Sequence, residues 1–341
     1  MKVGITYDLQ EDYLAKGFSE EQAAEFDRPD TIEGIEGALW RLGYETDRIG
    51  HIENLVRRLS RGERWDMVFN IAEGVRGFGR EAQVPALLDA YDIPYTFSDP
   101  LVLSMTLHKA VTKHVLRDKG IPTPDFFTVE HLSDLDKVDL DFPIFAKPVA
   151  EGTGKGISAA SKIKNRGEMV SVCQSLLALH EQPVLLETFL SGREFTVGIT
   201  GTGERAAAIG ALEVLLQEKA EPEIYSFLNK KKFETRVKYC LVEDAEAQRA
   251  IAVALDAWRC LGCRDGGRVD LRSDEYATPH FLEVNPLAGL NPEISDLPIL
   301  CTMAGKSYQE LIGRIMESAL ERSHHRPFPE TSFCSDAGHS T

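Results

Sequence analysis

Two strand-like runs late in the chain, RVDLR and HFLEVN, carry Asp270, Glu283 and Asn285. Residues two apart on a strand face the same side, so Glu283 and Asn285 point together. A neighbouring strand bearing Asp270 completes a three-residue oxygen cage. Hard oxygen ligands of this kind suit Mg²⁺, which takes one or two carboxylates alongside substrate phosphates. A solvated acidic sheet face would use the same residue types. However, Asn is disfavoured between apolar residues in a strand, and a polar pair beside Phe281, Leu282 and Val284 needs a partner.

A second signal is AKPVAEGTGKGIS. Lys147 ends an apolar strand, and the loop that follows has glycines at Gly152, Gly154 and Gly156. Such a loop brings backbone N–H groups close to phosphate oxygens, and the lysine adds a point charge on the same group. Most Gly-rich loops are only turns; the strand-end lysine is what distinguishes this one. The spacing is neither a Walker A motif nor a Rossmann fingerprint. In a third segment, PVLLETFLSGREFTVGI, Glu187 ends one strand and Glu194 begins the next. Two carboxylates so placed can accept hydrogen bonds from an adenine amino group and a ribose. Taken alone, Arg193 and Glu194 read equally well as turn residues.

In this order, HKAVTKHVLRDKGIPTP, PIFAKPVAEGTGKGIS, VLLETFLSGREFTVGI, GGRVDLRSD and FLEVNPLAGL resemble the ATP-grasp family, and within it the D-alanine–D-alanine ligases. The likeness covers roughly two-thirds of the chain, up to the last helix-like segment. It implies an α/β fold with α+β character in the catalytic half. Three parts are expected: an N-terminal Rossmann-like domain (residues 1–103), a central domain (104–193) and a C-terminal catalytic domain (194–322). The implied activity is an ATP-dependent carboxylate–amine ligase forming a peptide or amide bond through an acyl phosphate. Its substrates would be small amino-acid-like molecules and its assembly a homodimer. ATP and two Mg²⁺ ions are the implied cofactors, with Mn²⁺ able to substitute. A small-molecule kinase on the same fold and a nucleotide-binding regulator without turnover are the alternatives.

The resemblance also assigns roles. Lys109 and Lys147 match lysines on the ATP phosphates, Glu187 the residue beside adenine, and Glu194 the ribose contact. Lys230 falls where a third phosphate-side lysine is expected, with Lys231 and Lys232 as neighbours that leave its placement open. Arg268 and the backbone of Gly289 match groups that stabilise the tetrahedral intermediate, and Asp270, Glu283 and Asn285 match the Mg²⁺ ligands. The Gly-rich loop and the segment 217–232 are the expected lids.

The N-terminal third departs from this pattern. A longer, acidic run follows the first strand, where Asp27 or Asp30 would replace the glutamate that holds the first substrate's ammonium. Glu73 stands near the position of a family histidine. In NPEISDLP, Glu293 or Ser295 occupies the place of the serine that helps bind the acceptor's carboxylate. All three changes fall where substrates bind, so the ATP half is expected to be standard and the substrate half altered.

The remaining pattern fits a small α/β layer followed by β-rich segments. Residues 3–7 and 66–71 read as buried strands, and Asp30 with Glu33 as a capping box before Ile32, Ile35, Leu39 and Leu42. Leu87 and Leu88 read as part of a short helix, and Ser104 as the cap of a helix reaching Gly120. Residues 244–261 form an amphipathic pattern with Ile251, Leu255 and Trp258 on one face. Ser307 and Glu310 form a capping box for a last helix, and the polar tail (323–341) is expected to be disordered. The net charge of −16 lacks the basic footprint of a nucleic-acid binder. With no long apolar run and no signal-like start, a cytoplasmic location away from membranes is expected. Of the six cysteines only Cys260 and Cys263 are close, and both read as incidental reduced thiols.

Overall fold

The structure, a computed structural model, describes residues 1–217 and 233–323. Ser323, expected to begin the tail, ends the last helix; the rest of the tail (324–341) and the lysines Lys230, Lys231 and Lys232 lie outside the described residues. The chain opens with a parallel three-stranded sheet: β1 (Lys2–Thr6), β2 (Glu45–Gly50) and β3 (Met67–Asn70), in the order β2-β1-β3. Parallel neighbours need crossover connections, supplied by helices Pro29–Arg41 and Ile52–Ser60. Val3, Ile5, Met67 and Phe69 are buried, as their continuous apolar runs require.

Two helix starts differ from expectation. Helix Pro29–Arg41 begins one residue before Asp30, with Arg28 as the N-cap and no side-chain cap. Pro29 supplies a preset φ at the first position and has no N–H to satisfy. Asp30 instead bonds Arg28 at 2.8 Å and accepts from Asn291 Nδ2. The helix expected from Ser104 to Gly120 is two helices, Pro100–Leu107 and Lys109–Asp118. Asp99 caps the first by accepting from the Val102 N–H at 3.0 Å, and His108 Nδ1 accepts from the Val111 N–H at 3.3 Å. Ser104 lies inside the first helix. The break puts Lys109 at the start of the second, where it is buried.

The middle of the chain forms an antiparallel sheet of β4 (Phe126–Val129), β5 (Ile144–Pro148), β6 (Lys162–Ile163) and β7 (Val184–Thr188), in the order β4-β7-β5-β6. Helix Arg166–His180 covers one face with Met169, Cys173 and Leu176. A second antiparallel sheet follows: β8 (Glu194–Thr200), β9 (Ala207–Leu216), β10 (Val237–Val242), β11 (Gly266–Ser273) and β12 (Pro279–Asn285), in the order β10-β9-β8-β11-β12.

Helix Ala245–Leu261 lies on this second sheet. Asp244 caps it, accepting from the Glu246 and Ala247 N–H groups at 3.0 and 3.2 Å. Its buried stripe is Ala247, Ala250, Ala254, Ala257, Trp258 and Leu261. Small side chains let the helix sit close to the strands, so Ile251 and Leu255, expected at the centre of the face, lie half-buried at its flanks. The last helix, Tyr308–Ser323, has the expected reciprocal cap: Ser307 N donates to Glu310 Oε2 and Glu310 N to Ser307 Oγ. Leu311, Ile312, Ile315 and Met316 share one core with Ile32, Ile35 and Leu39. The last described helix is thereby packed against the helix Pro29–Arg41 near the start of the chain. Cys173, Cys240, Cys260, Cys263 and Cys301 are free thiols.

Candidate active site

β11 and β12 pair antiparallel, with Asp270 opposite Glu283 and Arg268 opposite Asn285. That register gathers Arg268, Asp270, Glu283 and Asn285 on two adjacent strands. Arg268 forms a direct ion pair with Asp270 and lies 3.7 Å from Asp296. Burial works against the guanidinium's charge, but Asp270, Asp296 and Glu283 outweigh it and hold its pKa above the usual arginine range. Thr196 Oγ1 donates to Asp270 at 2.9 Å. Lys109 Nζ donates to the Glu151 carbonyl at 2.6 Å and lies 3.4 Å from Glu283.

No group of three or more His, Cys, Asp or Glu side chains forms a ready metal cage among the described residues. The chemistry of Asp270, Glu283 and Asn285 still fits Mg²⁺, which completes its shell with water and phosphate oxygens. Among the described residues the buried Asn285 Nδ2 has no hydrogen-bond partner, as expected of an amide positioned for what its oxygen can hold rather than for packing.

The opposite sheet supplies Lys147 from β5 and Glu187 from β7. Glu187 lies 2.9 Å from Lys147 and 2.7 Å from Lys113, all three buried. Burial disfavours the Glu187 charge, but the two lysines hold its pKa below the usual carboxylate range. Burial pulls Lys113 down to about 8. Lys147, offset by Glu187 and Glu283, stays above the usual lysine value despite burial. Lys113, which also donates to the Phe281 carbonyl at 3.0 Å, was not singled out by the sequence. Its spacing of four from Lys109 on one helix was the available signal.

Glu194 faces the same cleft and lies 3.4 Å from Arg272; burial, opposed by that arginine, raises its pKa. In the Gly-rich loop, Gly154 and Gly156 have φ of 73° and 74°, a region that disfavours side chains. Glu25 holds this loop. Its Oε1 accepts from the Gly152 N–H at 2.6 Å, its Oε2 lies 3.1 Å from both Arg80 and Lys155, and Arg80 also donates to the Ala150 carbonyl. A Cβ at Gly152 would sit 2.6 Å from the Glu25 carboxylate. Glu25 is 127 residues from Gly152, and nothing local in its acidic run separates it from a surface glutamate.

Two spaces meet here. A narrow cleft of about 110 Å³ runs between the sheets, lined by Lys147, Glu187, Glu194 and Gly154. A cavity of about 810 Å³ lies toward the N-terminal sheet, lined by Asp27, Glu73, Glu81, Gly152, Gly289 and Ser295. Lys109, Arg268 and Glu283 line both. Of the two candidate aspartates, Asp27 lines the cavity and Asp30 does not. Glu293, expected in the acceptor area, is exposed to solvent, because its backbone N–H is turned to Asn291 Oδ1 in a tight loop. Ser295 accepts from the Asn291 N–H at 3.0 Å through its hydroxyl.

The cavity wall is acidic. Burial, followed by the charge of Asp8, pushes Asp27 up to about 7. Burial, opposed by Arg80, takes Glu81 to about 7, and burial with Glu81 and Glu25 nearby raises Glu73 well above the carboxylate range. An acid whose pKa is raised on folding binds its proton more tightly in the native state. The cost to stability is absent below about pH 4, the unfolded value. It grows by about 1.4 kcal/mol per pH unit until the folded value is passed. Asp27→Asn is therefore expected to raise the melting temperature by several degrees at pH 8 and to change it little at pH 4. Thermal melts across that range check it, and an equal shift at both ends contradicts the assignment.

The family model described as D-ala D-ala ligase C-terminus matches residues 115–317. An uncharacterized protein, y4sG, of Sinorhizobium fredii is 30% identical over 302 residues, covering 85% of this chain and 87% of its own. A D-alanine–D-alanine ligase of Nitrosospira multiformis is 32% identical over 243 residues, 70% of this chain and 75% of that one. The crystal structure of a D-alanine–D-alanine ligase from Bacillus anthracis complexed with ATP superposes with a TM-score of 0.71 at 21% identity, covering 95% of this chain and 99% of that one. At that identity the likeness speaks for the fold. Among the described residues no helix is long and apolar enough to cross a membrane.

Proposed function

The chain belongs to the D-alanine–D-alanine ligase family, and on that premise we propose how its residues divide the work of an ATP-dependent ligase that forms an amide bond. The observation that carries the reading is the junction of the two spaces: Lys109, Arg268 and Glu283 line both the narrow cleft and the large cavity. A nucleotide in the cleft would present its terminal phosphate at this junction to a carboxylate lying in the cavity.

In the first step, an oxygen of the substrate carboxylate attacks the γ-phosphorus. The bond to the β-phosphate oxygen breaks, and ADP leaves with an acyl phosphate formed. Such transfers depend on positioning and charge neutralisation. Lys109, Lys147 and the N–H groups of the Gly152–Gly156 loop are the chain's contribution. Asp270, Glu283 and Asn285 would hold Mg²⁺, which supplies further positive charge against the phosphates when bound. Glu187 and Glu194 are the candidates for adenine and ribose. Glu187 would meet adenine while retaining its lysine partners. In the second step, an uncharged amine attacks the acyl carbon, Arg268 with the Gly289 N–H would face the oxyanion, and the C–O bond to phosphate then breaks as phosphate leaves. Asp27 is proposed to hold the ammonium of a small amino acid that supplies the carboxylate. The relatives are named for D-alanine, which makes it the first carboxylate to try.

Acyl phosphates hydrolyse, so the loop must exclude water while the intermediate lasts. Glu25, bonded to Gly152 and paired with Lys155 and Arg80, ties the loop to the N-terminal segment. Screening pairs of amino acids and amines, ADP release is expected to require both partners, with one ADP formed per amide detected by mass. Equal ADP release with and without any amine would favour phosphoryl transfer to a single substrate instead.

A further inference from the structure

The large cavity holds more negative charge than the proposed chemistry uses. Glu81 is only 9% exposed and lines the cavity, yet its carboxylate makes no hydrogen bond or ion pair among the described residues. Glu73 lines the same wall and also has none. Among the described residues, the cations around the cavity are already engaged. Arg28 pairs with Asp30, Lys109 with Glu283, and Arg268 with Asp270 and Asp296. Arg80, beside Glu81 in sequence, pairs with Glu25 and the Ala150 carbonyl. Buried carboxylates without partners are costly, and a wall of them is matched by a cationic ligand.

The reacting amine cannot be that cation, because its nitrogen must be uncharged to attack the acyl carbon. A second nitrogen, remote from the reaction, can stay protonated and lie against the two glutamates. The other half of the acceptor site speaks against a carboxylate. Arg268, the cation best placed among the described residues to receive one, already carries Asp270 and Asp296, and Asp296 also accepts from the Tyr239 hydroxyl at 2.9 Å. A third carboxylate on this guanidinium would be repelled in a poorly hydrated site.

We propose that the amine substrate is an aliphatic diamine without a free carboxylate, held by its far ammonium against Glu73 and Glu81. This rests on the ligase reading above. The near amine nitrogen forms the C–N bond to the acyl phosphate carbon. The C–O bond to phosphate breaks, phosphate leaves with that electron pair, and the proton lost from nitrogen passes to phosphate. The cavity of about 810 Å³ has room for such a chain beside a small carboxylate. Burial keeps the pKa of Glu73 and of Glu81 raised even with Arg80 opposing it at both, and a bound ammonium would offset that burial.

The test is calorimetric titration of the full chain, with a non-hydrolysable ATP analogue and Mg²⁺ present, using 1,4-diaminobutane, butylamine and ornithine as probes. Butylamine lacks the second ammonium, and ornithine adds a carboxylate. The diamine is expected to bind at least about tenfold more tightly than either. Glu81→Gln should bring the diamine to the level of butylamine while leaving nucleotide affinity unchanged, and at pH 8 it should raise the melting temperature rather than lower it. Glu73→Gln, an independent variant, should weaken the diamine in the same sense. No diamine binding, equal affinity for diamine and monoamine, tighter binding of ornithine, or no effect of either substitution overturns the proposal. Failure of the ligase reading shows separately, as ADP released without amide for every pair screened.

Discussion

Asp270→Asn and Glu283→Gln should each lower amide formation by about a thousandfold or more while the protein stays folded. Each substitution keeps the side chain's size and removes one formal charge from the set proposed to hold Mg²⁺ against the nucleotide phosphates. Stabilisation of charge at a transferring phosphoryl group is worth several kcal/mol, and each factor of ten in rate is about 1.4 kcal/mol. The fold should tolerate both changes for identifiable reasons. Arg268 keeps Asp296 when Asp270 is neutralised, and Lys109 keeps the Glu151 carbonyl when Glu283 is neutralised. Steady-state rates with a circular-dichroism melt check this. Wild-type turnover in both variants would remove these residues from the site.

The second large effect concerns stability. Glu187 sits between Lys113 and Lys147, whose side chains are 0% and 6% exposed. Glu187→Gln leaves two buried ammonium groups facing each other without their carboxylate. Breaking a buried ion pair in this way costs about 3–5 kcal/mol. In a chain of this length that corresponds to a fall of roughly 10 °C in melting temperature. Lys113→Met should behave differently. It leaves Glu187 and Lys147 as a balanced pair, and the charge it removes is one that burial already weakens, with the pKa down to about 8. Its cost is the lost bond to the Phe281 carbonyl, about 1 kcal/mol. Parallel melts of the two variants decide the matter, and equal losses would contradict this description of the cluster.

The features that were legible in the sequence are those whose signal is local. Glu283 and Asn285 share a face because strands alternate, and the register of β11 on β12 brings Asp270 beside them as expected. Lys147 and the glycines after it declared a loop at a strand end. Where the reading failed, the deciding contact was distant or the choice lay between neighbouring letters. The Asp30 cap was overruled by Pro29, whose ring preorganises the first helical residue. The helix from Ser104 broke at His108 because Asp99 and His108 each cap a shorter helix. Glu25 could not be told from the other acids of its run, since its partners Gly152 and Lys155 lie more than a hundred residues away in sequence. Glu81 lay in a segment compared with the family only through Glu73, and its burial arises from packing that no periodicity announces.

The same distinction explains which half of the site the family pattern describes. The residues on β5, β7, β8, β11 and β12 line the narrow cleft proposed for the nucleotide, whose chemistry is constant. The cavity wall of Asp27, Glu73 and Glu81 comes from connections after β1 and β3, where length and sequence are free to change without disturbing the sheets. Its acidic character is therefore proposed to bear on substrates rather than on the reaction.

The central claim is that this chain activates a carboxylate by phosphorylating it before amide formation. The direct measurement supplies the carboxylate substrate labelled with heavy oxygen and analyses the inorganic phosphate released with the amide by mass spectrometry. An acyl phosphate intermediate transfers one labelled oxygen from each activated carboxylate to phosphate, so labelled phosphate should equal amide formed. Amide accompanied by unlabelled phosphate would contradict the claim.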